Sequence, residues 1–504
     1  MNNFKNKYFD ISKPVFIPAA IITFLFVSFT IIFNEQSEAV FSGFQAYMSR
    51  NFGWFISLSI NYYLIFVLYL ASSKYGKIRI GGKDAKPSFS KFSWVAMLFS
   101  AGMGIGLVYF SVAEPMLHFS HPIVKGASDV YKSRLAIRNT YFHYGFHVWG
   151  IYMLLGIALA YFTFNKGTSL SLKSTLIPLF GHRMNRWPGY LIDVIAVLAT
   201  LFGLATSLGF GALQFSTGLS EYFGLENNTS LQVSSIIGIT LIATISVVTG
   251  LNKGLKYLSN ANIIIALIVF IFVLILGNTV RLIDGFVQSL GIYLSDLIEL
   301  SLFRNQHGTA GSWFKGWSMF YWVWWISWSP FVGTFVARIS KGRTIREIAI
   351  FGLVLPSVFS FLWMSVLGGT AINLQLDGNL DLASIVAQDS SIGLFKMLET
   401  LPFYEITAFV CIILVGTFFI TSSDSGSLVV DMMTAGGKLN APKGQKIFWA
   451  FMEGAIAIAL LVGGGLTALQ SASISTGFPF AIILVLVSLS LVKSLKHDEQ
   501  LQLE

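Results

Sequence analysis

The chain has very little charge. Only 11% of its 504 residues are Asp, Glu, Lys or Arg, against roughly 25% in an average soluble domain. A soluble chain of this length needs more charge than that to cover its surface, so a soluble globular protein is excluded. Disorder is excluded as well, because it requires low hydrophobicity and high net charge, whereas 54% of these residues are apolar and the mean hydropathy is +0.70. Cysteine is nearly absent. The single Cys411 rules out an intrachain disulfide framework and leaves the redox compartment open. Long Pro- or Ser-rich linkers are missing too, which argues against attached soluble domains.

What is present is apolar runs. A helix needs about 20 apolar residues to cross ~30 Å of hydrocarbon. Twelve stretches qualify, near 15–33, 53–72, 92–118, 140–163, 190–220, 232–250, 259–280, 316–338, 348–372, 403–424, 447–464 and 471–492. The first is too long for a signal-peptide core and no small-residue cleavage site follows it. The domain reading is a tail over 1–14, one transmembrane unit over 15–493 and a tail over 494–504. Residues 283–303 alternate acids and apolar residues at helical spacing, which predicts a surface helix between the seventh and eighth spans.

The net charge of +9 reads as orientation and not as affinity for nucleic acid. With the N-terminus inside, 24 of the 33 basic residues fall on the cytoplasmic side. That asymmetry predicts both termini in the cytoplasm. The loop 119–139, with Lys125, Lys132, Arg134 and Arg138, is discordant.

Two segments break the pattern of plain spans. The third carries Ser100-Ala101-Gly102-Met103-Gly104-Ile105-Gly106. Alternate glycines disfavour helix and permit unwinding, and unwound carbonyls can take a cation or face a substrate. Close helix packing is the alternative for the same residues. The eighth span holds five of the twelve tryptophans within residues 317–328. An aromatic belt would explain a few of them. So dense a cluster inside the span fits a cation–π site, and quaternary ammonium groups are the characteristic guests of such rings. Pro330 should weaken that helix. In the fourth span Trp149 and Tyr152 share a face, with Tyr144 nearby. The tenth ends Thr421-Ser422-Ser423-Asp424, whose hydroxyls either bond back to their own helix or ligate a small cation. Glu114, Asp193, Glu221, Asp424 and Glu453 lie in or near spans, where an acid is either a functional group or a structural hydrogen-bond partner. His143 and His147 have metal-ligand spacing without a third ligand, which favours a structural role.

FSAGMGIGLVYFSVAEP, FYWVWWISWSPFVGTFVARISKGRTIRE and TSSDSGS together resemble the betaine/carnitine/choline transporter family over roughly 15–493. The resemblance implies an all-α polytopic membrane protein: twelve transmembrane helices with a LeuT-type inverted-repeat core of spans 3–7 and 8–12. It implies a substrate box of Trp149, Tyr152, Trp324, Trp325 and Trp328, with Tyr144, Phe320 and Trp322 beside it. The backbone of Gly102, Gly104 and Gly106 would face the substrate's carboxylate. It implies one sodium site at Ser100, Met103, Phe418, Thr421 and Ser422, and a second near Thr206, Ser207 and Phe331. Gly106, where choline carriers can have Asp, tilts the substrate towards glycine betaine. The implied activity is sodium symport of that osmolyte across the cell membrane by alternating access, with no cofactor, and family members are often trimers. A choline or carnitine carrier, proton coupling and, more remotely, a channel are the alternatives. An enzyme would need a convergent catalytic set, which is missing from the sequence.

Overall fold

The computed structural model describes residues 3–102, 104–124, 126–249, 252–304, 311–438 and 442–503. Their one sheet is a two-stranded antiparallel ribbon, Phe4–Lys5 with Asp10–Ile11. Everything else of regular structure is helical, as the apolar runs require.

The first two spans are α1 (Lys13–Ile32) and α2 (Asn34–Ser72). The third is broken into α3 (Lys91–Gly102) and α4 (Ile105–Ser120). The fourth is broken into α5 (Asp129–Tyr144) and α6 (Phe146–Phe164) at Gly145. Next come α7 (Trp187–Phe223), α8 (Thr229–Thr249) and α9 (Asn252–Leu276). The surface segment forms α10 (Thr279–Ser295) and α11 (Leu297–Leu302), and α10 leaves the axis of α9 at 107°. The remaining spans are α12 (Ser318–Ile339), α13 (Ile345–Leu376), α14 (Tyr404–Thr434), α15 (Lys443–Val462) and α16 (Gly465–Leu503). Short helices at Leu382–Gln388 and Gly393–Glu399 lie between α13 and α14.

Among the described residues nine helices are long and apolar enough to cross a membrane, or ten if the bent α9–α10 pair counts as one. The two expected stretches outside that count differ for physical reasons. The third is divided into helices of 12 and 16 residues. The eighth is 22 residues long, but its indole and phenol handles lower its hydropathy.

Burial sorts the helices into layers. Only 28% of the apolar window of α1 is buried, whereas 94% of that of α5–α6 is. α1 therefore shows its Phe and Ile side chains outward, and α6 is a core element. α12 is buried along almost its whole length and packs against α6, α7 and α16. It runs helically through Pro330, contrary to the sequence-based expectation of a weak point. Proline removes the N–H that the Ile326 carbonyl would accept. The Ser329 hydroxyl donates to that carbonyl at 2.6 Å instead, so the backbone stays satisfied in hydrocarbon. α13 starts on a capping box: Thr344 Oγ1 accepts from Glu347 N at 3.1 Å, and Thr344 N donates to Glu347 Oε2 at 2.9 Å.

Side-chain pairs group the connecting segments. The N-terminal ribbon meets the segment after α14, where Lys438 Nζ lies 2.7 Å from Asp10 Oδ1. The end of α16 pairs Glu499 with Lys74, and Asp498 with Lys166 and Tyr161. The discordant 119–139 loop is partly neutralised: Arg138 pairs with Asp296 at 2.7 Å and Lys132 with Asp129 at 2.9 Å.

Candidate functional site

The glycine stretch and the tryptophan cluster come together. Gly104 sits in the break between α3 and α4, with extended backbone at φ −120° and ψ −153°. A Cβ built there would lie 2.8 Å from Cη2 of Trp328 and 3.4 Å from Oγ of Ser422. A Cβ at Gly106 would lie 3.0 Å from Cη2 of Trp324. Glycine here is a matter of close approach: the backbone of the third span touches the indoles of the eighth and a hydroxyl of the tenth. Gly203 of α7 closes the other side, because a Cβ there would stand 2.9 Å from Cδ1 of Trp328. Gly203 carries no signal in the sequence, since small residues are common throughout α7.

The rings of α12 form a continuous buried group that Tyr144 joins. Trp324 and Trp325 stack with centroids 4.6 Å apart, and Phe320 stacks on Trp324 at 5.2 Å. Trp328 meets Trp325 edge-on at 6.2 Å and Phe331 at 5.7 Å. Tyr144 lies 5.6 Å from Trp325. Trp149 and Tyr152 pack edge to face at 5.5 Å, as the shared face requires. Trp322 points elsewhere, against Phe142 at 4.9 Å and His147 at 5.6 Å.

The polar handles of these rings divide into two sets. Trp324 Nε1 donates to the Gly203 carbonyl at 3.2 Å, Trp325 Nε1 to the His143 carbonyl at 3.0 Å, and Tyr144 Oη to the Gly106 carbonyl at 3.1 Å. Trp149 Nε1, Tyr152 Oη and Trp328 Nε1 are buried and have no partner among the described residues. A buried unmade hydrogen bond is costly. All three atoms can donate, so they match a ligand that offers acceptor oxygens.

Of the first sodium set, Met103 lies outside the described residues, as does the side chain of Ser100. Thr421 Oγ1 donates back to its own helix, at 3.0 Å to the Thr417 carbonyl and 3.1 Å to that of Phe418. It also accepts from Asn262 Nδ2 at 3.0 Å. Asn262 and Phe418 both line a small cavity beside Leu107. Of the second set, Thr206 Oγ1 reaches the Leu469 carbonyl at 2.7 Å and Ser473 Oγ at 2.8 Å, so it faces α16. Ser207 bonds the Gly203 carbonyl at 3.3 Å. Phe331 packs on Trp328.

The histidine pair is separated by the break at Gly145. His143 meets Glu114 and Ser318, whereas His147 meets Asn61 at 3.2 Å and Ser301 at 3.0 Å. Each has its own hydrogen-bond partners.

Comparison with known proteins gives the same direction. The model of the betaine/carnitine/choline family transporters matches residues 14–500. A "glycine betaine/proline/choline transporter" of Vibrio parahaemolyticus is 44% identical, over 98% of this chain and 91% of its own length. A "glycine betaine transporter 1" of the same organism is 45% identical, over 98% and 95%. An "osmo-dependent choline transporter" of Acinetobacter baylyi is 39% identical, over 98% and 72%. These relatives are transporters and not enzymes. An all-helical membrane protein whose glycine break meets a buried tryptophan cluster, matched over nearly its full length, belongs to the betaine/carnitine/choline transporter family.

Proposed function

We propose that this chain is a secondary active transporter that imports glycine betaine into the cell by sodium symport, with alternating access and both termini in the cytoplasm. The observation that carries the substrate reading is the mixed chemistry of the buried site. Stacked indoles offer cation–π faces to a trimethylammonium head, which cannot donate conventional hydrogen bonds. The free donors on Trp149, Tyr152 and Trp328 offer hydrogen bonds to a carboxylate. A zwitterion uses both sets; choline uses the rings and only a hydroxyl's worth of the donors. Ser422 beside Gly104 supports a sodium ion bridging the broken third span and the tenth, since a cation there would order the break and raise substrate affinity reciprocally. The names of the relatives agree with a betaine or choline substrate.

The test is uptake of labelled glycine betaine, choline and carnitine into proteoliposomes, with and without an inward sodium gradient. Betaine uptake that depends on the gradient is expected. Choline preferred over betaine would replace the substrate, and gradient-independent exchange would replace the mechanism.

A further inference from the structure

Glu114 is fully buried in α4 and holds a network that the substrate reading does not use. Its Oε1 lies 3.1 Å from His118 Nε2 and 2.6 Å from His143 Nδ1, and its Oε2 accepts from the Tyr321 hydroxyl. Glu114, His118 and His143 also meet the spacing of a metal site, but the protons argue otherwise. Trp313 Nε1, which can only donate, is bonded to His118 Nδ1 at 3.2 Å. His118 therefore carries its proton on Nε2 and donates it to Glu114. A metal on Nε2 would leave that imidazole with no proton at all while Trp313 still donated to it. His143 completes the set: its Nδ1 meets Glu114 Oε1 and its Nε2 meets Ser318 Oγ at 2.9 Å. With the His143 proton on Nδ1, three neutral donors converge on one carboxyl group, the arrangement that an ionised carboxylate takes.

Among the described residues the ion-pair partners of Glu114 are these two imidazoles alone, and no Lys or Arg neutralises it. An uncompensated buried charge is expensive. This one lies a single tyrosine from the tryptophan group. The ring of Tyr321 is 5.8 Å from Trp325 and 6.0 Å from Trp324, and its hydroxyl meets that of Tyr144 at 3.3 Å. A tyrosine whose proton is pulled towards a carboxylate has a more negative ring face, and hydrogen-bond polarisation of this kind passes along a chain.

We propose that Glu114 is a specificity-determining counter-charge: acting through Tyr321, it makes the tryptophan box select a positively charged head over an uncharged one of the same shape. This inference rests on the quaternary ammonium reading above. Across one tyrosine, on the order of 10 Å at an effective dielectric of about 20, a unit charge changes cation affinity by about tenfold.

The probe pair is choline and its carbon isostere 3,3-dimethylbutan-1-ol, which replaces the trimethylammonium group by tert-butyl. Binding of both is measured on the purified full chain by tryptophan fluorescence, for wild type, Glu114→Gln and Tyr321→Phe. The expected result is that Glu114→Gln loses about tenfold in the choline-to-isostere affinity ratio, with affinity for the isostere little changed, while Tyr321→Phe, which keeps the carboxyl group and removes only the hydroxyl between it and the rings, loses a smaller part of that ratio. A purely structural role would weaken both compounds together, and an unchanged ratio in Glu114→Gln or equal losses for both overturns the proposal. Thermal unfolding is followed alongside; if Glu114→Gln does not fold, Tyr321→Phe decides, because a choline-to-isostere ratio equal to wild type in that variant overturns the role given to Tyr321 and the proposal with it. Wild-type protein that binds neither choline nor betaine overturns the substrate reading and this inference with it.

Discussion

Gly104→Ala is the substitution whose effect can be worked most directly from the structure. The backbone at Gly104 is extended (φ −120°, ψ −153°), a conformation open to alanine, so the effect comes from contact alone. The added methyl would stand 2.8 Å from the Trp328 ring, about 1 Å inside ordinary carbon–carbon contact. The indole has little room to retreat. Its far side faces Gly203, where even an imagined Cβ would be 2.9 Å away, and Phe331 meets it edge-on at 5.7 Å. Overpacking of this kind costs about 1–3 kcal/mol, which corresponds to a loss of roughly 5- to 150-fold in the equilibrium constant for closing the site. Reconstituted uptake should therefore show kcat/KM for the substrate reduced by a factor in that range, with the protein still inserted and purified in normal yield. Gly203→Ala, pressing on the same indole at its Cδ1 end, should behave alike. Full kcat/KM in both variants would refute the reasoning, because it would mean that Trp328 is free to move and the close approach has no functional weight.

Other consequences follow from the same contacts. Trp324→Leu or Trp328→Leu should reduce substrate affinity by about 30-fold, the equivalent of ~2 kcal/mol for one desolvated cation–π face, measured by binding titration on protein that retains its helical circular dichroism. Ser329→Ala should lower stability by ~1 kcal/mol, because it strips the Ile326 carbonyl of its substitute donor beside Pro330; adding Pro330→Ala restores an N–H, and the double variant should recover the melting temperature. Ser422→Ala should raise the sodium concentration needed for half-maximal uptake several-fold while leaving thermal stability unchanged; an unaltered sodium dependence would remove Ser422 from the cation site.

Much of this arrangement is legible in the sequence because the bilayer imposes long apolar runs, and each of the twelve runs coincides with a helix or a broken helix pair. The α3–α4 break follows from the alternate glycines around Gly104, and the sharp turn into α10 follows from the amphipathic pattern of 283–303. The start of the fourth span is a different matter. Residues 129–138 carry several charges and read as a loop, but the helix begins at Asp129, capped by Ser128. Within that stretch Arg138 pairs with Asp296, 158 residues away, and Lys132 with Asp129. Pro330 misleads in the opposite sense: its effect on the helix depends on the preceding hydroxyl, which a proline rule ignores. Trp322 belongs to the dense cluster by sequence, but two residues of helical rotation, about 200°, turn it towards His147 and away from Trp324. Glu114 stands out in the sequence as an acid near a span, whereas its role depends on Tyr321, 207 residues distant. No periodicity reports such a meeting.

The central claim is that the glycine break and the tryptophan cluster enclose a quaternary ammonium zwitterion. Titrating the purified chain with glycine betaine in the presence of sodium, and following tryptophan fluorescence, tests this most directly. Saturable quenching that is weakened about 30-fold in Trp328→Leu is the predicted result. A wild-type titration with no saturable change, or one of equal affinity in Trp328→Leu, would contradict the account.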